Sequence, residues 1–66
     1  MRRIMAVKMH HADGKVIVYH DPDWQEYRCV PVVDGAIVQS AVYHTDAKDD
    51  AIATAIEMAG NWKKEI

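Results

Sequence analysis

Three features of these 66 residues predict an α+β fold, with three or four antiparallel strands in a meander and one C-terminal helix packed across one face. Apolar residues alternate with polar ones through much of the first 45 positions, the period of a half-buried strand. Asp-Gly pairs at 13–14 and 34–35 interrupt that alternation where hairpin turns belong. After residue 46 the period changes to the spacing of three and four that marks one side of a helix.

In the first strand, read over Ile4–His11, Met5, Val7 and Met9 alternate with Ala6, Lys8 and His10. Asp13-Gly14 then predicts a two-residue type I′ turn in which Ala12 faces Lys15. That register pairs Met9 with Val18, Val7 with His20, Lys8 with Tyr19 and His10 with Ile17. Met5, Val7, Met9, Val16 and Val18 then share the core face, and Lys8, His10, Ile17 and Tyr19 lie opposite. His20–Gln25 is a connection, because Pro22 has no ladder donor and its aspartate neighbours favour turns. Glu26–Val33 reads as the next strand, with Pro31 marking an edge, a bulge or an exit from the sheet. Asp34-Gly35 turns into a last strand over Ala36–Tyr43. That hairpin places Tyr27, Cys29, Pro31, Val38 and Val42 on one face and Arg28, Val30, Val32, Ile37 and Tyr43 on the other.

Asp46–Ala59 is the expected helix. Ala47, Ala51, Ile52, Ala55, Ile56 and Ala59 form its covered side. Thr45 or Asp46 is the expected N-cap, Asp49 and Asp50 favour the positive end of the helix dipole, and Gly60 is the expected left-handed stop. Trp62 is expected to fold back on the helix end or sheet edge, ahead of a fraying Lys63–Glu65 tail. So small a helix face leaves bulk to be supplied by the sheet, and one helix covers only one side of it.

The chain reads as one domain spanning 1–66, near the lower size limit for folding on a single core. Its formal charge of −2, from 8 Lys plus Arg against 10 Asp plus Glu, argues against a protein that wraps nucleic acid. The single cysteine, Cys29, cannot form a disulfide within the chain. With no secretory leader, it points to a reducing, cytoplasmic setting. No apolar run approaches the roughly 20 residues a membrane span requires.

His10, His11, His20 and His44 lack the pairwise spacing of a metal site, and Asp21, Asp23 and Glu26 lack that of a calcium loop. Cys29 has no neighbouring His or Asp at a spacing that would make it a nucleophile, and it reads as a small buried hydrophobe. With no phosphate loop and no paired carboxylates, neither an enzyme nor a cofactor is expected. Ile17, Tyr19, Ile37 and Tyr43, with Trp24 or Trp62 at the edge, instead predict an apolar patch opposite the helix. Homodimerisation or another protein partner would cover it. The alternative is nucleic-acid contact through a mildly basic sheet face carrying Arg3, Lys8 and Arg28.

The run Val42–Ala55, preceded by Val33-Asp34-Gly35, resembles the C-terminal part of small uncharacterised proteins of phages, prophages and bacterial genomes. In these, a strand ending in tyrosine and threonine feeds an Asp-Ala-x-x-Thr-Ala helix. The resemblance covers residues 33–59 and implies a sheet-plus-helix domain that can dimerise, without an assigned activity. The element order is also similar to the arm-binding domain of tyrosine recombinases, whose sheet reads DNA, although the sheet here is poorer in Arg and Lys.

Overall fold

A computed structural model describes residues 1–62, so the expected Lys63–Glu65 tail lies outside the described residues. Strands β1 (Arg2–Lys8), β2 (Gly14–Asp21) and β3 (Glu26–Val33) form an antiparallel meander. Two short strands, β4 (Ala36–Ile37) and β5 (Tyr43–Thr45), share the far edge of β3. Helix α1 (Lys48–Asn61) then crosses β2 and β3. The fold is α+β, an antiparallel sheet with one C-terminal helix.

The predicted last strand is broken in the middle, and Pro31 accounts for the break. The Val38 amide donates to the Pro31 carbonyl at 2.9 Å, so this carbonyl points away from β2. In an antiparallel strand a residue's N–H and C=O point to the same side, so the donor that proline lacks is missing from the edge where β4 would continue. There the chain leaves the sheet in a 3₁₀ turn over Gln39–Ala41 and returns as β5 beside Tyr27, Arg28 and Cys29. The excursion also changes face parity. Tyr43 lies opposite Cys29, whose side chain is in the helix-side core, and not on the outer face with Ile37.

The β1–β2 register departs from expectation by four residues: Val7 pairs with Val16 rather than His20, and Lys8 with Lys15 rather than Tyr19. Residues 9–13 form a loop in place of the two-residue turn, so His10 and His11 lie beyond β1. Because four is even, the residues of the predicted hairpin that lie in β1 and β2 keep their predicted faces. Met5, Val7, Val16 and Val18 face the helix, and Met9, only 3% exposed, reaches the same core from the loop. A bulge between Arg3 and Met5 accommodates Ile4.

Gly14 therefore sits inside a strand and has no positive φ. A Cβ there would lie 2.2 Å from the Val32 carbonyl oxygen and 3.0 Å from Met9 Sδ, so glycine is needed for close approach. The Asp34-Gly35 turn forms as predicted, with φ of 53° and 82° at its two residues, the left-handed pair of a type I′ hairpin.

The helix begins and ends two residues later than expected. Ala47 is the N-cap and makes no side-chain capping bond. Thr45 instead accepts the Ala47 amide through Oγ1 at 3.2 Å. Gly60 is helical, not a left-handed stop, and Trp62 packs against the core. Ala51, Ala55 and Ala59, each 0% exposed, form the stripe that lies on Val16, Val18 and Cys29. Their spacing of four keeps one methyl per turn on the sheet and permits close approach. Ala47 and Ile56 face solvent instead, Ile56 being 55% exposed. The helix end is tied down by the β1–β2 loop, where the His10 amide donates to the Ala59 carbonyl at 3.3 Å.

Candidate functional site: the uncovered sheet face

The helix covers one side of the sheet, and the alternation of β2 and β3 fixes what lies on the other. Lys15, Ile17, Tyr19 and Asp21 of β2 lie beside Val32, Val30, Arg28 and Glu26 of β3. Lys8 and Ala6 of β1 extend these rows on one side, and Ile37 and His44 on the other. Among the predicted contact residues, Ile17, Tyr19 and Ile37 share this face. Ile17 on the central strand is 7% exposed, while Ile37 on the edge is 52% exposed. Tyr43 is separated from them by the 3₁₀ turn. Its hydroxyl donates to Asp50 Oδ2 on the helix at 2.6 Å. This bond raises the phenol's pKa and lowers that of the Asp50 carboxyl.

Of the predicted basic residues, Arg28 is occupied within the chain. Its Nη2 lies 3.3 Å from Asp21 Oδ2 and 3.6 Å from Glu26 Oε2, and its Nη1 donates weakly to Met1 Sδ at 3.8 Å. Glu26 also accepts from His44 Nδ1. Lys8 lies at the opposite end of the face, and Arg3 pairs with Tyr19 beside the bulge. Arg3 and Arg28 thus pair with Tyr19 on its two sides, Arg28 being held by Asp21 and Glu26, while Ala6, Ile17 and Val30 separate that row from Lys8, so the three do not form one continuous basic stripe.

Two grooves of similar size open on this face. One, of about 500 Å³, lies between Tyr19, Arg28, Val30, Ile37, Val42 and His44. The second, of about 540 Å³, lies by the two strand turns, with Ala6, Val32, Gly14 and Gly35 as its small and apolar lining and Lys8, Lys15 and Asp13 as its polar groups. A Cβ on Gly35 would meet nothing within 4 Å, so the groove is open at that rim, whereas Gly14 is closed in by Val32 and the helix-side Met9. Comparison with protein-family models, curated proteins and solved structures gives no match.

The remaining histidines lie apart. His10 and His11 are exposed, their rings 6.4 Å apart, while His20 stacks on Tyr27 at 4.6 Å on the helix side. Cys29 is buried on that side, where its thiol donates to the Ala51 carbonyl at 3.1 Å. Burial, and then the Asp50 charge, push its pKa up. No helix among the described residues is long and apolar enough to cross a membrane.

The opposition of Lys8 and Lys15 is invisible in a register that pairs Lys8 with Tyr19. The four-residue displacement brings it about. Trp24 is the other feature that sequence reasoning undervalued. It is 78% exposed in the Pro22–Gln25 turn. The signal was available, since turn-forming Asp21, Pro22 and Asp23 immediately before it place the residue in a connection, outside the strand pairing.

Proposed function

We propose that this protein is a small interaction module that works as a homodimer, with the sheet face opposite the helix as its interface. The observation that carries the reading is the apolar centre of that face. Ile17, Val30, Val32 and Ile37 lie in adjacent rows with Tyr19 beside them, and α1 packs only on the other side. Ile17 and Val30 are already buried by their neighbours, so exposed Ile37 and half-buried Val32 and Tyr19 are what a partner would cover. Such a patch, rimmed by Lys8, Lys15, Asp21 and Glu26, has the arrangement of a protein contact.

The sheet edges are poorer candidates. An antiparallel β1–β1 pairing centred on Met5 sets Arg2 of each copy against Lys8 of the other, a like-charge opposition that disfavours it. The opposite edge is interrupted between β4 and β5. Four strand rows about 4.8 Å apart and about 23 Å long present roughly 450 Å² per copy, which implies a weak interface of about 900 Å² in total. Light scattering between about 5 and 500 µM is expected to show the mass rise from 7.5 kDa towards twice that value. Ile37→Asp is expected to hold the chain at monomer mass with an unchanged circular dichroism spectrum. A wild-type chain that remains monomeric at 500 µM would refute the reading.

A further inference from the structure

At one end of the uncovered face, Lys8 and Lys15 stand directly opposite each other and flank the groove floored by Ala6, Val32 and the two turn glycines. Neither lysine forms an ion pair among the described residues. Asp13 also lines the groove and leaves one positive charge uncompensated there, so the groove suits something that brings one negative charge and an apolar group. At the other end of β2, Trp24 stands exposed beside Asp23, next to the Asp21–Glu26 pair that closes the hairpin. The six residue steps from Lys15 to Asp21 separate the two ends by about 20 Å of rigid strand. No chain can place its own Trp24 in its own groove.

A second copy can. Two identical sheets packed face to face are related by a two-fold axis lying between them. An axis along the strands would set the lysine pair of one copy on the lysine pair of the other. An axis perpendicular to the strands reverses the partner's direction and brings each acidic, tryptophan-bearing turn to the other copy's lysine groove. We propose that Trp24 of each copy seats in the Lys8–Lys15 groove of the second copy, twice per dimer. The indole fills the groove over Ala6 and Val32 beside Gly35, the two ammonium groups lie against its π face, and Asp23 supplies the carboxylate closest in sequence. This pairing rests on the homodimer reading and specifies its orientation. It also adds two large aromatic anchors to an interface that is small by area.

The test uses sedimentation of the full chain and its variants. Trp24→Ala, at a position 78% exposed, is expected to weaken association at least about tenfold with the fold intact. A Lys8→Glu/Lys15→Glu double variant, checked by circular dichroism, is expected to do the same. Mixing the two variants leaves one intact pairing per heterodimer, the double variant's Trp24 in the alanine variant's groove. The mixture is therefore expected to associate more strongly than either variant alone, with a blue shift of tryptophan emission. A dimeric wild type that loses no affinity on Trp24→Ala, or variants that do not complement each other, would overturn the pairing while leaving the face-to-face dimer standing. A monomeric wild type would instead overturn the dimer itself. Should the lysine substitutions unfold the chain, the affinity of Trp24→Ala and the red shift of wild-type tryptophan emission on dilution, absent in Trp24→Ala, decide the matter.

Discussion

Gly14→Ala is expected to be among the most damaging single substitutions in the sheet. The added Cβ would meet the Val32 carbonyl oxygen at 2.2 Å, Met9 Sδ at 3.0 Å and the Val33 Cα at 3.1 Å, where ordinary contact begins near 3.4 Å. The sulfur can move, but Val32 and Val33 present backbone, so β3 must retreat by about 1 Å and strain its pairing with β2. Overpacking of this kind costs about 1–3 kcal/mol, against a total stability of about 3–10 kcal/mol at the usual 0.05–0.15 kcal/mol per residue. Urea denaturation followed by circular dichroism would register a lower midpoint with an unchanged slope. Gly14→Asn separates this cause from the left-handed turn that Asp13-Gly14 suggests in the sequence. Asparagine tolerates a left-handed backbone but has a Cβ, so close approach makes it about as damaging as alanine. Gly14→Asn within about 0.5 kcal/mol of wild type, with alanine clearly worse, would refute the reasoning.

Gly60→Ala acts in the other direction, because Gly60 is helical and a Cβ there meets nothing within 4 Å. It is expected to stabilise the chain by up to about 0.5–1 kcal/mol in the same urea assay. The Tyr43–Asp50 bond gives a pH dependence of known sign. The lowered Asp50 pKa contributes stability that is lost as pH falls through it, and the raised Tyr43 pKa contributes stability that is lost as pH rises through it. Thermal melts of Tyr43→Phe are therefore expected to be flatter than those of wild type below the ordinary carboxylate range and above the ordinary phenol range. The Cys29 thiol, buried and with a raised pKa, is expected to react with a thiol reagent only as fast as the chain opens. Rapid modification under native conditions would contradict the packing of Ala51 on Cys29.

The fold class was legible because two independent periods agreed with their turn residues. β3 runs over Glu26–Val33 as expected, and the Asp34-Gly35 turn has the φ values its composition demands. The two Asp-Gly pairs look alike in sequence but act differently. Asp13 ends a longer loop that Met9 anchors in the core and His10 ties to the helix end, Gly14 opens β2, and these tertiary interactions override the local turn preference. An even displacement preserves the faces, which is why the core could be read from a register that was wrong. The 3₁₀ turn beside Pro31 does change parity, and so Tyr43 left the predicted patch for the helix. Pro31 was recognised as a disturbance, but nothing local says that the neighbouring strand, not its own, is the one that breaks. The helix stripe was partly readable. Ala51, Ala55 and Ala59 are buried as expected, whereas Ile56, about 100° round the helix from Ala55, lies off the stripe that meets the sheet. Lys8 against Lys15 depended on the register, and with it the groove at that end of the face.

The uncovered face is tested most directly by sedimentation equilibrium of wild type and Ile37→Asp side by side over the same concentrations. The wild type is expected to approach twice the 7.5 kDa chain mass while the variant stays at it. Equal masses for the two at every concentration would contradict the assignment of the interface to this face.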